Sequence, residues 1–241
     1  MLRHFSNTLV RAWKDYISPR VLPLLSTIEV VGLALAALSL WGFAQIADEV
    51  LDQETQAFDT AILQGIAQFH SPLFDNIAIA VTFFGEPNLL VLVGAIVGSV
   101  LLWKRRRSEA VVFAIAAGGA TALNFWLKTV FGRARPELWE RIVDANFNSF
   151  PSGHAMISLV VWGAIAYGLA LDFPPWRKFI SSVATILIGA IGFSRLYLGV
   201  HWPTDIIAGY TAGLVWLIAC ILTLEGAQRY LGEKRSSVIS K

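Results

Sequence analysis

The chain has 241 residues, of which 56% are hydrophobic and only 15% charged. A soluble domain of this length carries roughly a quarter charged residues, so the composition excludes a soluble globular enzyme and indicates an integral membrane protein of one domain. The net charge of +2 carries little information, and the lone Cys220 excludes an intrachain disulfide and a cysteine-based metal site.

In residues 1–20, Leu2, Phe5, Leu9, Trp13 and Tyr16 recur at spacings of three and four beside Arg3, Arg11, Lys14 and Arg20. That pattern suits a helix lying along a membrane surface, and equally a basic flank that sets topology. Pro19 and Pro23 end it, so residues 1–22 form an interfacial segment, 23–224 a membrane domain and 225–241 a polar cytoplasmic tail. Residues 24–46 are long enough for a first span, which needs about 20 residues, with Glu29 facing water near its start. Residues 47–86 are acidic and hold no Lys or Arg. Within them Phe58, Ile62, Leu63, Ile66 and Phe69 outline a short amphipathic helix, His70-Ser71-Pro72 a turn, and 73–84 a helix at the bilayer edge. Gly85-Glu86-Pro87 reads as a helix start, with Glu86 its terminal carboxylate rather than a substrate contact.

The second span, 87–103, is short and ends at the cations Lys104 to Arg107, a cytoplasmic stop signal rather than a nucleic-acid patch. The third span covers 109–131, followed by Lys128, Arg133 and Arg135-Pro136 around its end and a broken polar stretch over 137–153. Further spans cover about 154–171, 178–197 and 203–224, and Gly209 and Gly213 have the small-residue spacing that lets helices approach closely. The fold class is therefore all-α: a six-transmembrane helical bundle with short extracytoplasmic helices and an N-terminal interfacial helix.

With both termini cytoplasmic, the inner segments hold fourteen of the nineteen Lys and Arg residues, in accord with the excess of cations in cytoplasmic loops. The outer face holds Lys128, Arg133, Arg135, Arg141 and Arg195, which topology does not explain. On this arrangement Lys128, Arg135, Ser152-Gly153-His154, Arg195, His201 and Asp205 lie at one membrane depth. Arg offers paired donors to phosphate oxygens and Lys a point charge. The free N–H groups at a helix start after Pro151-Ser152-Gly153 favour an anion, and Gly153 lets the backbone come close. Asp205, four residues after His201, can hold one imidazole nitrogen and leave the other free to attack. His154 suits general acid–base work. Asn124 reads as a helix–helix hydrogen bond.

Lys128-x6-Arg135-Pro136, Pro151-Ser152-Gly153-His154 and Ser194-Arg195-x5-His201-x3-Asp205 resemble the three signature motifs of the type 2 phosphatidic acid phosphatase superfamily. That family includes lipid phosphate phosphatases, bacterial phosphatidylglycerophosphatase B, undecaprenyl pyrophosphate phosphatases and vanadium haloperoxidases. The resemblance spans about 58–224, and all three motifs are complete. It implies a metal-independent phosphatase without a cofactor. His201 would form a phosphohistidine, Asp205 would orient it, and His154 would protonate the leaving alkoxide and then activate water. Lys128, Arg135, Ser152, Gly153 and Arg195 would bind phosphate. Arg133 and Arg141 fall outside the motifs and read either as headgroup contacts or as solvated loop cations.

The expected substrate is a lipid phosphate drawn from the bilayer, of the phosphatidylglycerophosphate and phosphatidic acid class, with undecaprenyl pyrophosphate the runner-up. The expected setting is a bacterial inner or plasma membrane, crossed several times, with the site extracytoplasmic and neither nucleic acid nor an obligate protein partner. A lipid phosphotransferase would share the site, a haloperoxidase would share the anion pocket, and a transporter would instead place polar groups along a path at mid-helix.

Overall fold

A computed structural model describes residues 27–139, 143 and 147–239, with the backbone alone in 27–29 and 229–239. The expected interfacial helix over 1–20, the Glu29 side chain, Arg141 and the tail side chains from Arg229 onward lie outside the described residues. The chain divides into two compact units, residues 1–35 and 36–241. Of the first unit, only the opening turns of helix α1 are described.

The helices are α1 (Thr27–Leu51), α2 (Gln56–Ala67), α3 (Pro72–Phe83), α4 (Pro87–Trp103), α5 (Arg107–Phe131), α6 (Gly153–Asp172), α7 (Arg177–Tyr197) and α8 (Pro203–Ile239). No strand occurs among the described residues. Proline opens α3, α4 and α8, where its missing N–H has no helical partner to lose. Ser71 also accepts from the Phe74 N–H at the start of α3. A left-handed Gly132 closes α5, its N–H reaching the Lys128 carbonyl.

Five helices are long and apolar enough to cross a membrane, and there are six if α3 and α4, bent by 41° at their break, are counted together as one span. Residues 72–83 and 87–103 are separate helices that meet at a bend, because Pro87 cannot continue the helix that ends at Phe83; taken together they extend the short second span to before Pro87. Residues 225–239, expected as a polar tail, are helical and continue α8. Glu, Gln, Arg, Leu and Lys there are good helix formers, and no proline interrupts them. The chain is thus an all-α integral membrane protein.

Large apolar side chains face outward, among them Leu38, Trp41, Val91, Trp103 and Ile186. In water this would be costly; in lipid it is what the helices require. Inside, α6 packs against α5, α7 and α8. Ala116 and Ala120 of α5 meet Val160 of α6 and Leu217 and Cys220 of α8. Lipid tails are as apolar as leucine, so close packing and not hydrophobic burial holds such helices together. Gly209 and Gly213 serve that purpose. A Cβ on Gly209 would lie 2.7 Å from the Ser152 carbonyl oxygen, and one on Gly213 2.9 Å from that of Met156. This contact sets the start of α8 against the start of α6, where the polar residues gather.

Candidate active site

The C-terminal ends of α5 and α7, the N-terminal ends of α6 and α8, and the bend between α3 and α4 meet at one end of the bundle. His201 lies in the short loop between α7 and α8 and is 2% exposed. Its Nδ1 is 3.1 Å from Asp205 Oδ2, which also accepts from the Trp202 N–H at 2.9 Å. Its Nε2 is 3.2 Å from a guanidinium nitrogen of Arg135. A guanidinium only donates, so Nε2 carries the lone pair and Nδ1 the proton. The Arg135 fork is fixed by the carbonyls of Phe147 (3.0 Å) and Val200 (2.6 Å). Burial holds the His201 pKa well below the usual imidazole value, and the cations Arg135, Lys128 and Arg195 push it the same way. His201 is therefore neutral at pH 7, with the unprotonated Nε2 accepting from Arg135.

Lys128, on the last turn of α5, donates to the carbonyls of Asn148 and Ser149. Asn148 returns a bond from Nδ2 to the Lys128 carbonyl at 2.8 Å. These contacts pin the loop before α6. Ser152 is fully buried and caps α6, its Oγ accepting from the Ala155 N–H at 3.4 Å. Its own N–H donates to the Asp205 carbonyl at 3.0 Å. At Gly153 a Cβ would stand 2.9 Å from Asn124 Oδ1, so a larger residue there would have to displace the Asn124 side chain. Asn124 Nδ2 donates to the Pro151 carbonyl at 3.2 Å, a bond from α5 to the loop before α6 rather than the helix–helix bond expected of it.

Arg195 is 5% exposed; one terminal nitrogen donates to Thr82 Oγ1 at 2.8 Å, while Nε has no hydrogen-bond partner. His154 Nε2 is also buried without a hydrogen bond, and Glu86 Oε1 lies 3.4 Å from it. Glu86 stands at the start of α4, as the sequence reading has it, but makes no capping bond, and its carboxylate faces His154 across the bend. Buried donors are normally satisfied, so Arg195 Nε and His154 Nε2 are polar atoms able to meet an anion.

Arg133 is neither a headgroup contact nor a solvated cation. It lies between two fully buried carboxylates, 2.7 Å from Asp205 Oδ1 and 2.7 Å from Asp59 Oδ2. It also donates to Thr204 Oγ1 (2.8 Å) and Thr55 Oγ1 (3.0 Å). The apolar pattern in α2 hid Asp59. Phe58 and Phe69 of the expected inward face are exposed, while Thr55, Asp59 and Leu63, spaced by four, are buried. That spacing was the available signal, together with an unexplained cation at Arg133.

A buried neutral histidine with an oriented carboxylate on one nitrogen and a cation at the other, ringed by Arg, Lys and a helix N-terminus inside an apolar bundle, defines a membrane protein that handles an oxyanion. The family model of the PAP2 superfamily matches residues 109–229, half of the chain, and the chain belongs to that superfamily. It is a membrane phosphatase, and its likeness to known proteins extends beyond that domain. The chain is 28% identical over 176 residues to phosphatidylglycerophosphatase B of Bacillus subtilis, covering 72% of this chain and 86% of the relative. It is 33% identical over 121 residues to an undecaprenyl-diphosphatase of Sulfolobus acidocaldarius, covering 47% of this chain and 54% of that protein. The crystal structure of a transmembrane PAP2-type phosphatidylglycerolphosphate phosphatase from Bacillus subtilis superposes with a TM-score of 0.73 at 26% identity, over 81% of this chain and 96% of that one.

Proposed function

We propose that the protein hydrolyses lipid phosphomonoesters of the phosphatidylglycerophosphate and phosphatidic acid class at the extracytoplasmic face of a bacterial membrane, through a phosphohistidine. The observation that carries this reading is His201: Nδ1 on Asp205, Nε2 unprotonated and facing Arg135. Nε2 attacks phosphorus, the P–O bond to the lipid breaks, and His154 gives its proton to the leaving alkoxide. His154 then takes a proton from water, whose oxygen attacks phosphorus, breaks the N–P bond and restores His201. Arg135, Arg195, Lys128, Ser152 and the Gly153 N–H hold the phosphoryl oxygens as charge develops on them. The unpartnered Arg195 Nε supports this role, because a phosphoryl oxygen would satisfy it. Glu86 supports the role of His154, since a carboxylate 3.4 Å from the ring orients it and offsets the positive charge it carries as a proton donor.

An apolar cavity of about 440 Å³ lies between α2, α3 and α7, lined by Ile66, Phe74, Ile77, Val81 and Phe193, with Ser194 and Tyr197 also in its wall. It supports a substrate whose chain stays in the bilayer while its headgroup meets the cations. A polyprenyl diphosphate is the second reading, favoured by the likeness to a protein named for that activity. The test is release of inorganic phosphate by purified protein in EDTA from a panel of both lipid types. Release without added metal is expected, and His201→Ala should abolish it while the protein still folds. Strict metal dependence, or full activity in the variant, would overturn the mechanism, and the rank order of the panel chooses between the two lipids.

A further inference from the structure

We infer that Arg133 and Asp59, outside every residue given a role above, are positioning residues that hold Asp205 in the ionised, oriented form on which His201 depends. The inference rests on the reading of His201 as nucleophile. Asp205 divides its two oxygens between two tasks. Oδ2 receives His201 Nδ1 and the Trp202 N–H, and Oδ1 receives only Arg133 among the described contacts. The guanidinium is a rigid fork. Its other terminal nitrogen bonds Asp59 Oδ2 at 2.7 Å, so its plane is set from both sides. Asp59 is held in turn by the start of α8, taking the Thr204 N–H on Oδ1 at 3.0 Å and the Thr204 hydroxyl on Oδ2 at 2.6 Å. The Trp202 ring lies under the guanidinium, 5.4 Å from Cζ. The brace thus closes on the helix that carries Asp205, and ties it to α2 and to the loop after α5.

Charge makes the brace necessary. Asp59 and Asp205 are both completely buried. Without the cation between them, two buried carboxylates share one region, and one of them takes up a proton. If that one is Asp205, it no longer selects the Nδ1–H tautomer, and His201 Nε2 loses its lone pair in a fraction of molecules. Neither Arg133 nor Asp59 touches the nitrogen that would attack, so the defect belongs to the chemical step and not to substrate binding.

The experiment compares Arg133→Gln, Arg133→Lys and Asp59→Asn with the parent protein, reading kcat, KM and inhibition by inorganic phosphate, together with the ¹⁵N spectrum of histidine-labelled protein. His201→Asn assigns the His201 signals. In the parent, His201 should be one Nδ1–H tautomer at pH 7. Arg133→Gln should convert it to a mixture with Nε2–H and lower kcat about a hundred-fold, the scale of a displaced reacting group, with KM and phosphate inhibition within about two-fold of the parent. Arg133→Lys keeps the charge but not the fork and should recover part of kcat. Asp59→Asn should show a smaller loss of the same kind, and these two variants carry the test if Arg133→Gln does not fold. An unchanged tautomer with unchanged kcat, or a rise in KM and weaker phosphate inhibition at constant kcat, overturns the inference. A tautomer that responds to Arg133 in a protein that hydrolyses no lipid phosphate would instead sustain the brace and sink the proposed function.

Discussion

On the proposed mechanism His201 works as a neutral nucleophile, and its environment determines the pH at which it can. Burial penalises the imidazolium, and Arg135, Lys128 and Arg195 add to that penalty, while Asp205 on Nδ1 opposes it. Attack requires the unprotonated ring, so the rate falls only as pH drops through the folded-state pKa, which lies well below the ordinary value of about 6.5. The acid limb of kcat/KM reports groups of the free enzyme. That limb should therefore lie below the imidazole range, with no loss between about pH 7.5 and 6.5 attributable to His201. Replacing Arg135 by Gln removes one of the opposing charges and should move the limb to higher pH. A parent profile with its acid limb at the ordinary histidine value would contradict the neutral, buried nucleophile. Folding stability follows the same sign. The unfolded ring takes a proton below about pH 6.5 and the folded one does not, so stability is lost as pH falls through that value.

At the scale of the element, the site depends on where helices start. Ser152, Gly153 and His154 open α6, and Asp205 lies in the first turn of α8. Their register is set by Gly209 against the Ser152 carbonyl and by the Ser152 N–H on the Asp205 carbonyl. A larger residue at Gly209 meets backbone that cannot move aside. Gly209→Val should destabilise the protein by about 1–3 kcal/mol, the usual cost of overpacking, and lower activity in the folded fraction. Gly168→Ala, in the same bundle but with open space around it, should be neutral or slightly stabilising. Thermal unfolding in detergent separates the two, and equal stability of both variants would show that the close α6–α8 approach is not required. The bend between α3 and α4 plays a comparable part: Thr82 holds Arg195, and Glu86 faces His154, both from one broken span.

Over the whole molecule, the polar machinery gathers at one end and the other end is closed differently. There Arg106, just before α5, pairs with Glu109 at 2.5 Å and with Asp172, at the end of α6, at 2.6 Å, beside Lys104 and Arg105. The proposed orientation puts that end in the cytoplasm. In a Cys220→Ala background, Asp52→Cys in the loop between α1 and α2 should react with a membrane-impermeant maleimide on intact cells. Lys104→Cys should react only after the membrane is opened. The opposite pattern would invert the topology and place the chemistry on the cytoplasmic face.

Much of this was readable in the chain. Apolar runs of spanning length, the asymmetry of cations and three spaced motifs pointed to a helical membrane protein, and the motifs singled out His201, Asp205, His154, Arg135 and Arg195, which the fold gathers at one end of the bundle. Those signals are local, because span length, charge bias and an i, i+4 pair such as His201 and Asp205 need no knowledge of what lies across the bundle. Asp59 and Arg133 lie 74 residues apart. Their pairing exists only once α2 packs beside the loop after α5, and Asp59 hides in a helix whose phenylalanines can face lipid. The α3–α4 bend, and with it the turning of Glu86 toward His154, likewise depends on packing around a proline whose position alone reads as an ordinary helix start. The sequence by itself determined the helical membrane architecture and the candidates for the chemistry; the tertiary structure decided which buried charges stand against them, because compensation between charges depends on distance in space, not along the chain.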